Sequence, residues 1–235
     1  EANGDLEKAI EILRKKGASV AAKRADKSAN EGLVITKIYN DEKSSLILEV
    51  NCETDFVAKS EDFTSMAAAI VDEVISTKPA DIESLNENAT VAQKINEVMG
   101  KVGEKVQVSR FAFLNSENGL IVDYIHPGSK LGVLVQIDSI PTDKKELVLP
   151  IAKDIAMQVA AMKPLCTFRE EVSKEIIEKE IEIYKEISRK EGKPENIHRS
   201  GPLSRRTPGP CAALGPTGAW QNHSGGRYRK RNGRK

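Results

Sequence analysis

The stretch Cys52-Glu53-Thr54-Asp55-Phe56-Val57 holds the densest set of reactive side chains in the chain: a thiol, two carboxylates two residues apart, and a hydroxyl beside an aromatic ring. Carboxylates at that spacing could act as acid and base in a small hydrolase, with His126 as a third member, if all three converge in one cleft. The plainer use of Glu53 and Asp55 at a strand-to-helix turn is a helix cap and a solvated charge. Phe56 has two uses as well: it can bury itself under the cap, or stand outward where the packing of a first turn is least complete. No other constellation competes. His126, His198 and His223 lie far apart without ligand spacing, and Cys52, Cys166 and Cys211 form no metal motif. Gly100-Lys101-Val102-Gly103-Glu104-Lys105 lacks the GxxxxGK[ST] arrangement of a phosphate loop, and no GxGxxG occurs. Neither metal nor cofactor is expected. The odd number of cysteines argues for free thiols in a reducing compartment, hence a cytoplasmic location.

The elements that must position these residues follow from periodicity. Leu46, Ile47, Leu48 and Val50 predict a strand, and Phe56, Phe63, Met66, Ala67, Ile70 and Val74 recur at helical spacing after it, so Asp55 and Phe56 fall at the junction. Before it, Asp5–Lys16 predicts a short helix stopped by Gly17, Ser19–Ala29 a connecting helix, and Leu33–Tyr39 a strand paired with Ser45–Val50 around a turn at residues 40–43. After it, the long helix ends at Lys78-Pro79 and a looser helical region runs from Asp81 to a break at Gly100. Lys105–Leu114, with its alternation broken at Ser109-Arg110 as by a bulge, then Leu120–Ile125 and Gly132–Ile137, predict one three-stranded meander with a hairpin turn at Asn115–Gly119. Lys145–Met162 predicts a helix with Leu147, Ile151, Ile155 and Val159 in steps of four, its regular part starting near Pro150. Thr167 and Glu170 match a capping box opening an amphipathic helix to about Lys190, stopped by Gly192 and Pro194.

Charge divides the chain unevenly. Residues 198–235 carry seven arginines, two lysines and no acidic residue, so the +1 total less this +9 leaves −8 on residues 1–197. A body of that sign is poorly suited to a phosphate backbone. The tail, with seven Gly and four Pro in 38 residues, is expected to be disordered. It is either an arginine-rich nucleic-acid arm or not a selected sequence, for instance a displaced reading frame. No apolar run reaches the length of a membrane helix.

Cys52-Glu53-Thr54-Asp55-Phe56-Val57-Ala58, with Lys23–Ala25 and Glu31-Gly32 before it, resembles the elongation factor Ts family, the guanine-nucleotide exchange factors of elongation factor Tu. His126-Pro127-Gly128 followed by Leu131–Leu134, the run Ala152–Ala161, and Gly192-Lys193-Pro194-Glu195 extend the resemblance over residues 1–197. It implies an α+β fold of two related subdomains, each a small antiparallel sheet flanked by helices. Residues 1–18 would be the last helix of an N-terminal ubiquitin-associated-like module, truncated here, 19–107 the first core subdomain, 108–197 the second, and 198–235 an unrelated basic tail. It further implies a translation factor with no catalytic, cofactor or metal residues of its own, binding elongation factor Tu through Thr54, Asp55, Phe56 and Val57 and, in the second subdomain, through His126, Gly128, Gly132, Ile151 and Met162. The Thr-Asp-Phe-Val segment would enter the GTPase beside its magnesium site and promote GDP release.

Overall fold

The strand Ser44–Cys52 is buried along almost its whole length, and the alternation of its side chains sorts the interior into two layers. The computed structural model describes residues 2, 5–40, 42–191 and 211–214. Its elements are α1 (Leu6–Lys23), β1 (Glu31–Tyr39), β2 (Ser44–Cys52), α2 (Asp55–Ala58), α3 (Glu61–Thr77), α4 (Ile82–Glu87), α5 (Ala89–Val102), β3 (Val106–Asn115), β4 (Leu120–Ile125), β5 (Gly132–Ile137), α6 (Lys145–Met162), α7 (Lys174–Glu191) and β6 (Cys211–Leu214). Leu46, Leu48, Val50 and Cys52 face one way, onto Phe63, Met66, Ile70 and Val74 of α3 and Val91 and Val98 of α5. Ile47 faces the other way, packing with Val34, Ala112, Ile121 and Leu134. Those last two belong to a second sheet, so the chain is an α+β fold in which two antiparallel sheets stack between helices.

The first sheet has the order β1-β2-β3, with Glu31 opposite Cys52 and Tyr39 opposite Ser44 in the first ladder. In the second ladder Glu49 pairs with Arg110 and Val50 with Val108, leaving Ser109 as the extra residue of a bulge where the broken alternation predicts one. The second sheet has the order β4-β5-β6, with Leu120 opposite Ile137 and Ile125 opposite Gly132. Leu120, Val122, Val133 and Val135 turn from the intersheet layer toward α6, which covers them with Ala152, Ala156 and Ala160. Small residues at this spacing let the helix lie close on the strands.

Several expectations are corrected. The Lys105–Leu114 strand completes the first sheet as β3 rather than opening a meander with β4 and β5, and a subdomain boundary at 107/108 would cut through it. Residues 116–119 are a crossover between sheets: the Ser116 N–H donates to Lys43 O at 2.8 Å, and Gly119 sits so close to Ile137 that a Cβ would lie 2.1 Å from its carbonyl oxygen. α1 continues through Gly17 to Lys23 as one helix. A Cβ on Gly17 would lie 1.9 Å from Asn96 O, and one on Gly100 2.4 Å from Leu13 O, so both glycines exist to let α1 and α5 cross backbone to backbone. The stop of α5 is Gly103, at φ +72, not Gly100. The looser region before it is two helices, α4 capped by Asp81 and α5 by Asn88. In α6 the helix begins at Lys145 and carries Pro150 inside it, and the buried alanine face leaves Leu147 and Ile151 outward. Thr167 and Glu170 do not cap α7: Glu171 accepts the N–H groups of Thr167 and Phe168, both at 3.1 Å, and Ser173 Oγ accepts from Ile176 N at the true start. Of the segment expected to be a disordered tail, Cys211–Leu214 forms β6 against β5; its other residues, with Gly192 and Pro194, lie outside the described residues.

The α1–α5 crossing makes a direct prediction. Alanine is worth about 1 kcal/mol more than glycine in an open helix, yet Gly17→Ala should lower unfolding free energy by about 2 kcal/mol, because the added methyl meets backbone that cannot yield. Urea denaturation reads the difference, and a variant as stable as the native chain would disprove the crossing.

Candidate functional site

β2 delivers its last residue, Cys52, into the core, and its thiol donates to the Thr54 carbonyl at 3.1 Å. Burial pushes that thiol up to about 12, and the nearby Glu104 carboxylate adds to the rise. A nucleophilic role would need the opposite shift. Thr54 is extended (φ −124, ψ 153) and caps α2, its Oγ1 accepting from Val57 N at 3.4 Å. The cap is therefore Thr54 rather than Asp55. Asp55 stands in the first turn, where the helix dipole favours an anion, and Lys59 Nζ donates to it at 2.7 Å. That hydrogen bond and the Lys59 charge hold the carboxyl below its usual range. After four residues the helix breaks, and Ser60 caps the next one, accepting from Phe63 N at 3.4 Å while donating to Val57 O at 2.8 Å.

Phe56 rides on this turn at 83% exposure, the most uncovered large apolar side chain of the described residues. Val57 is half-buried against the helical core and Ala58 is buried. Of the two uses open to the ring, the outward one is what the fold adopts.

The loop from His126 to Lys130 lies beside this turn. Pro127-Gly128 forms a tight turn closed by Ser129 N donating to His126 O at 2.9 Å, with Gly128 at φ +88 in open space. The loop is tied to the first sheet by Val34 N donating to Ser129 O at 2.6 Å and by Lys130 reaching Glu31 at 2.5 Å. Lys130 is close enough for its charge to favour the Asp55 carboxylate. His126 is exposed, with Nδ1 3.0 Å from the Tyr124 hydroxyl.

The structure thus brings Thr54–Val57 and residues 126–130 together. It places Ile151, 53% exposed, and Met162, 69% exposed, on α6 across the second sheet. Gly132, by contrast, is buried, and a Cβ there would meet Val34 Cγ1 at 2.6 Å, which puts it in the intersheet packing. Periodicity and motif spacing did not single out Glu104, whose carboxylate accepts both the Thr54 N–H (3.0 Å) and the Thr54 hydroxyl (2.8 Å), or Arg24, which pairs with Glu53 at 2.6 Å. Their partners are 50 and 29 residues away in sequence, beyond the reach of any local pattern.

A hydrolytic centre does not form. Glu53 is engaged by Arg24 and by Lys105 N at 2.7 Å, Asp55 by Lys59, and His126 by Tyr124, with no hydrogen bond joining the three. Among the described residues no group of three or more His, Cys, Asp or Glu is arranged to hold a metal ion, and no helix is long and apolar enough to cross a membrane.

A capped, braced turn that presents one uncovered ring is the kind of feature a protein-binding module offers a partner. Comparison with known proteins agrees. The model of the family described as elongation factor TS matches residues 53–201. Proteins named elongation factor Ts are similar along most of the chain: that of Chloroherpeton thalassium (strain ATCC 35110 / GB-78) is 44% identical and that of Chlorobaculum tepidum (strain ATCC 49652 / DSM 12025 / NBRC 103806 / TLS) 46% identical, each over 205 residues that make up 84% of this chain and 70% of the relative. That of Clostridium novyi (strain NT) is 41% identical over 204 residues, 84% of this chain and 66% of the relative. The chain belongs to the elongation factor Ts family. Membership carries the family's general role, guanine-nucleotide exchange on elongation factor Tu through protein–protein contact, and members of the family are not themselves enzymes.

The buried thiol gives the strand end a pH signature. A thiol raised in the folded state stabilises the fold fully below the unfolded value near 9 and loses that contribution as pH climbs toward about 12. Between pH 9 and 11 the native chain should therefore lose stability faster than Cys52→Ala, by up to about 1.4 kcal/mol per pH unit. Denaturation curves of both proteins across this range measure it, and parallel slopes would refute the buried thiol.

Proposed function

We propose that the Thr54–Val57 turn is the element with which this chain releases GDP from elongation factor Tu, so that GTP can replace it. The observation that carries this reading is the exposure of Phe56 at the tip of a capped turn whose neighbours are anchored. Phe56 wedges between helices of the GTPase beside its magnesium site, and Asp55, kept ionised by Lys59, accepts hydrogen bonds there. Elements that hold the ion and the phosphates are displaced. The coupling is reciprocal: a surface that binds the nucleotide-free GTPase better lowers its nucleotide affinity by the same factor.

The other exposed residues fit around this centre. His126 and Gly128, beside the turn, extend the contact, and Ile151 and Met162 on α6 meet another part of the partner. α1, with Leu6 75% exposed, corresponds to the last helix of a ubiquitin-associated-like module that adds contacts of its own. The site of action is the cytoplasm, where translation proceeds.

Release of fluorescent GDP from purified elongation factor Tu is the decisive measurement. The native chain should accelerate it, and Phe56→Ala should need about 30-fold more protein for the same rate, the loss expected of a hot-spot ring worth about 2 kcal/mol. Thermal stability of the variant should be unchanged, because the ring is uncovered. No acceleration by the native chain overturns the reading, and an undiminished variant removes Phe56 from it.

A further inference from the structure

We infer that Glu104 is a positioning residue for the exchange turn: its carboxylate clasps Thr54 and holds α2, with Phe56 on it, in the outward pose before a partner arrives. The inference rests on the function proposed for that turn. The β2–β3 ladder ends at the Cys52–Val106 pair, where the two chains diverge. Side chains carry the pairing one step further. Glu53 Oε1 accepts the Lys105 N–H at 2.7 Å, and in return Glu104 Oε2 accepts the Thr54 N–H at 3.0 Å, so each chain supplies a carboxylate to the other's backbone. Gly103 makes this possible: its left-handed backbone, φ +72, ends α5 and turns Glu104 toward Thr54, in a spot where a Cβ would meet nothing.

The second oxygen of Glu104 does different work. Thr54 has one hydroxyl proton and gives it to Glu104 Oε1 at 2.8 Å, which points the lone pairs of Oγ1 toward Val57 N, the bond that caps α2. A four-residue helix does not stabilise itself in water. Val57 and Ala58 anchor one side of it, and the cap and clasp set the direction in which Phe56 points. Around the clasp, Arg24 holds Glu53 from the end of α1, and Lys105 Nζ donates to Ala25 O at 2.7 Å and Lys27 O at 3.1 Å, so the brace is anchored to three segments of the chain.

A turn ordered in advance binds without the entropic cost of ordering it, so losing the clasp weakens binding and leaves the bound complex as effective as before. In fluorescent-GDP release from elongation factor Tu, Glu104→Ala should raise the concentration for half-maximal acceleration about five- to tenfold with little change in the saturating rate. Glu104→Gln should recover most of the loss, because the amide oxygen can face Thr54 N–H and its NH₂ can donate to Oγ1. Thr54→Val should match Glu104→Ala, and the double variant should be no worse than either. Amide hydrogen exchange at residues 55–58 should quicken in Glu104→Ala and Thr54→Val but not in Phe56→Ala. If Glu104→Ala fails to fold, Thr54→Val carries both measurements. Unchanged exchange at the turn overturns the clasp whatever the activity. A Glu104→Ala protein as potent as the native one, beside an impaired Phe56→Ala, overturns the positioning role and leaves the function of the turn standing. A native chain without effect on GDP release overturns the function first.

Discussion

Burial of β2 on both faces is the constraint from which the rest of the architecture follows. Leu46, Ile47, Leu48 and Val50 are each fully covered, and no single layer can cover both sides of a pleated strand. One face therefore demands the helices α3 and α5, and the other demands the second sheet, which in turn exposes a further apolar face that α6 must close. The four layers are successive solutions to one problem. They also fix where the site can be: the chain leaves β2 at Cys52, still buried, and must turn outward immediately, so the next residues form the rim of the scaffold. Thr54–Val57 stands proud because it is the first stretch released from a strand that has no exposed face.

The intersheet layer is not purely apolar, and its polar members help to set the second sheet against the first. Thr36 donates to Asp123 at 2.5 Å across the two sheets, and within the first sheet the part-buried pair Glu49–Arg110, at 2.5 Å, is joined by Asn51 and Ser109 on the face that also carries Ile47. Such groups contribute little net stability when both partners are present, but each is costly to leave unpaired. The Thr36–Asp123 bond consequently penalises sliding of one sheet over the other more than an apolar contact would, while the Glu49 group holds the register of β2 on β3. Gly132 serves the same end by removing the side chain that would hold the sheets apart next to Val34. The loop from His126 to Lys130 inherits its position beside Asp55 from this registry.

Local order was legible in the sequence and long-range pairing was not. β1, β2, the bulge at Ser109 and the junction at Asp55-Phe56 all follow from short-range periodicity. The choice of partner for β3 does not, because Val106, Val108 and Ala112 would suit either sheet, and only the geometry of the 116–119 crossover settles it. Glycine misleads at two positions for a related reason: Gly17 and Gly100 look like helix stops, and their purpose is visible only with Leu13 and Asn96 pressed against them. α6 shows the limit of counting large residues. Its steps of four mark Leu147 and Ile151 as a core face, while the small side chains of Ala152, Ala156 and Ala160 win the interior because they permit closer approach. At the candidate site, the motif marks the turn at Thr54–Val57, and the braces from Glu104, Arg24 and Lys130 escape it since they come from distant turns of the chain.

An exchange factor of this design must reconcile an exposed aromatic ring with a stable fold. A ring left in water earns nothing for the folded chain, so the turn that presents it has to be stabilised entirely by its neighbours. Here the neighbours divide the task by chemistry: Val57 and Ala58 supply burial, Thr54 and Ser60 satisfy helix ends on either side, and charged groups, Lys59 on Asp55 and Glu104 on Thr54, fix direction. None of these groups needs to touch the nucleotide. In the role proposed for the turn, the work on a bound GDP comes from differential affinity, which requires the ring to meet one state of the partner better than the other. A floppy ring would adapt to both states and discriminate less between them, whereas a fixed one distinguishes them by shape. Rigidity at the rim of β2 is thus the property on which the role proposed for the turn depends.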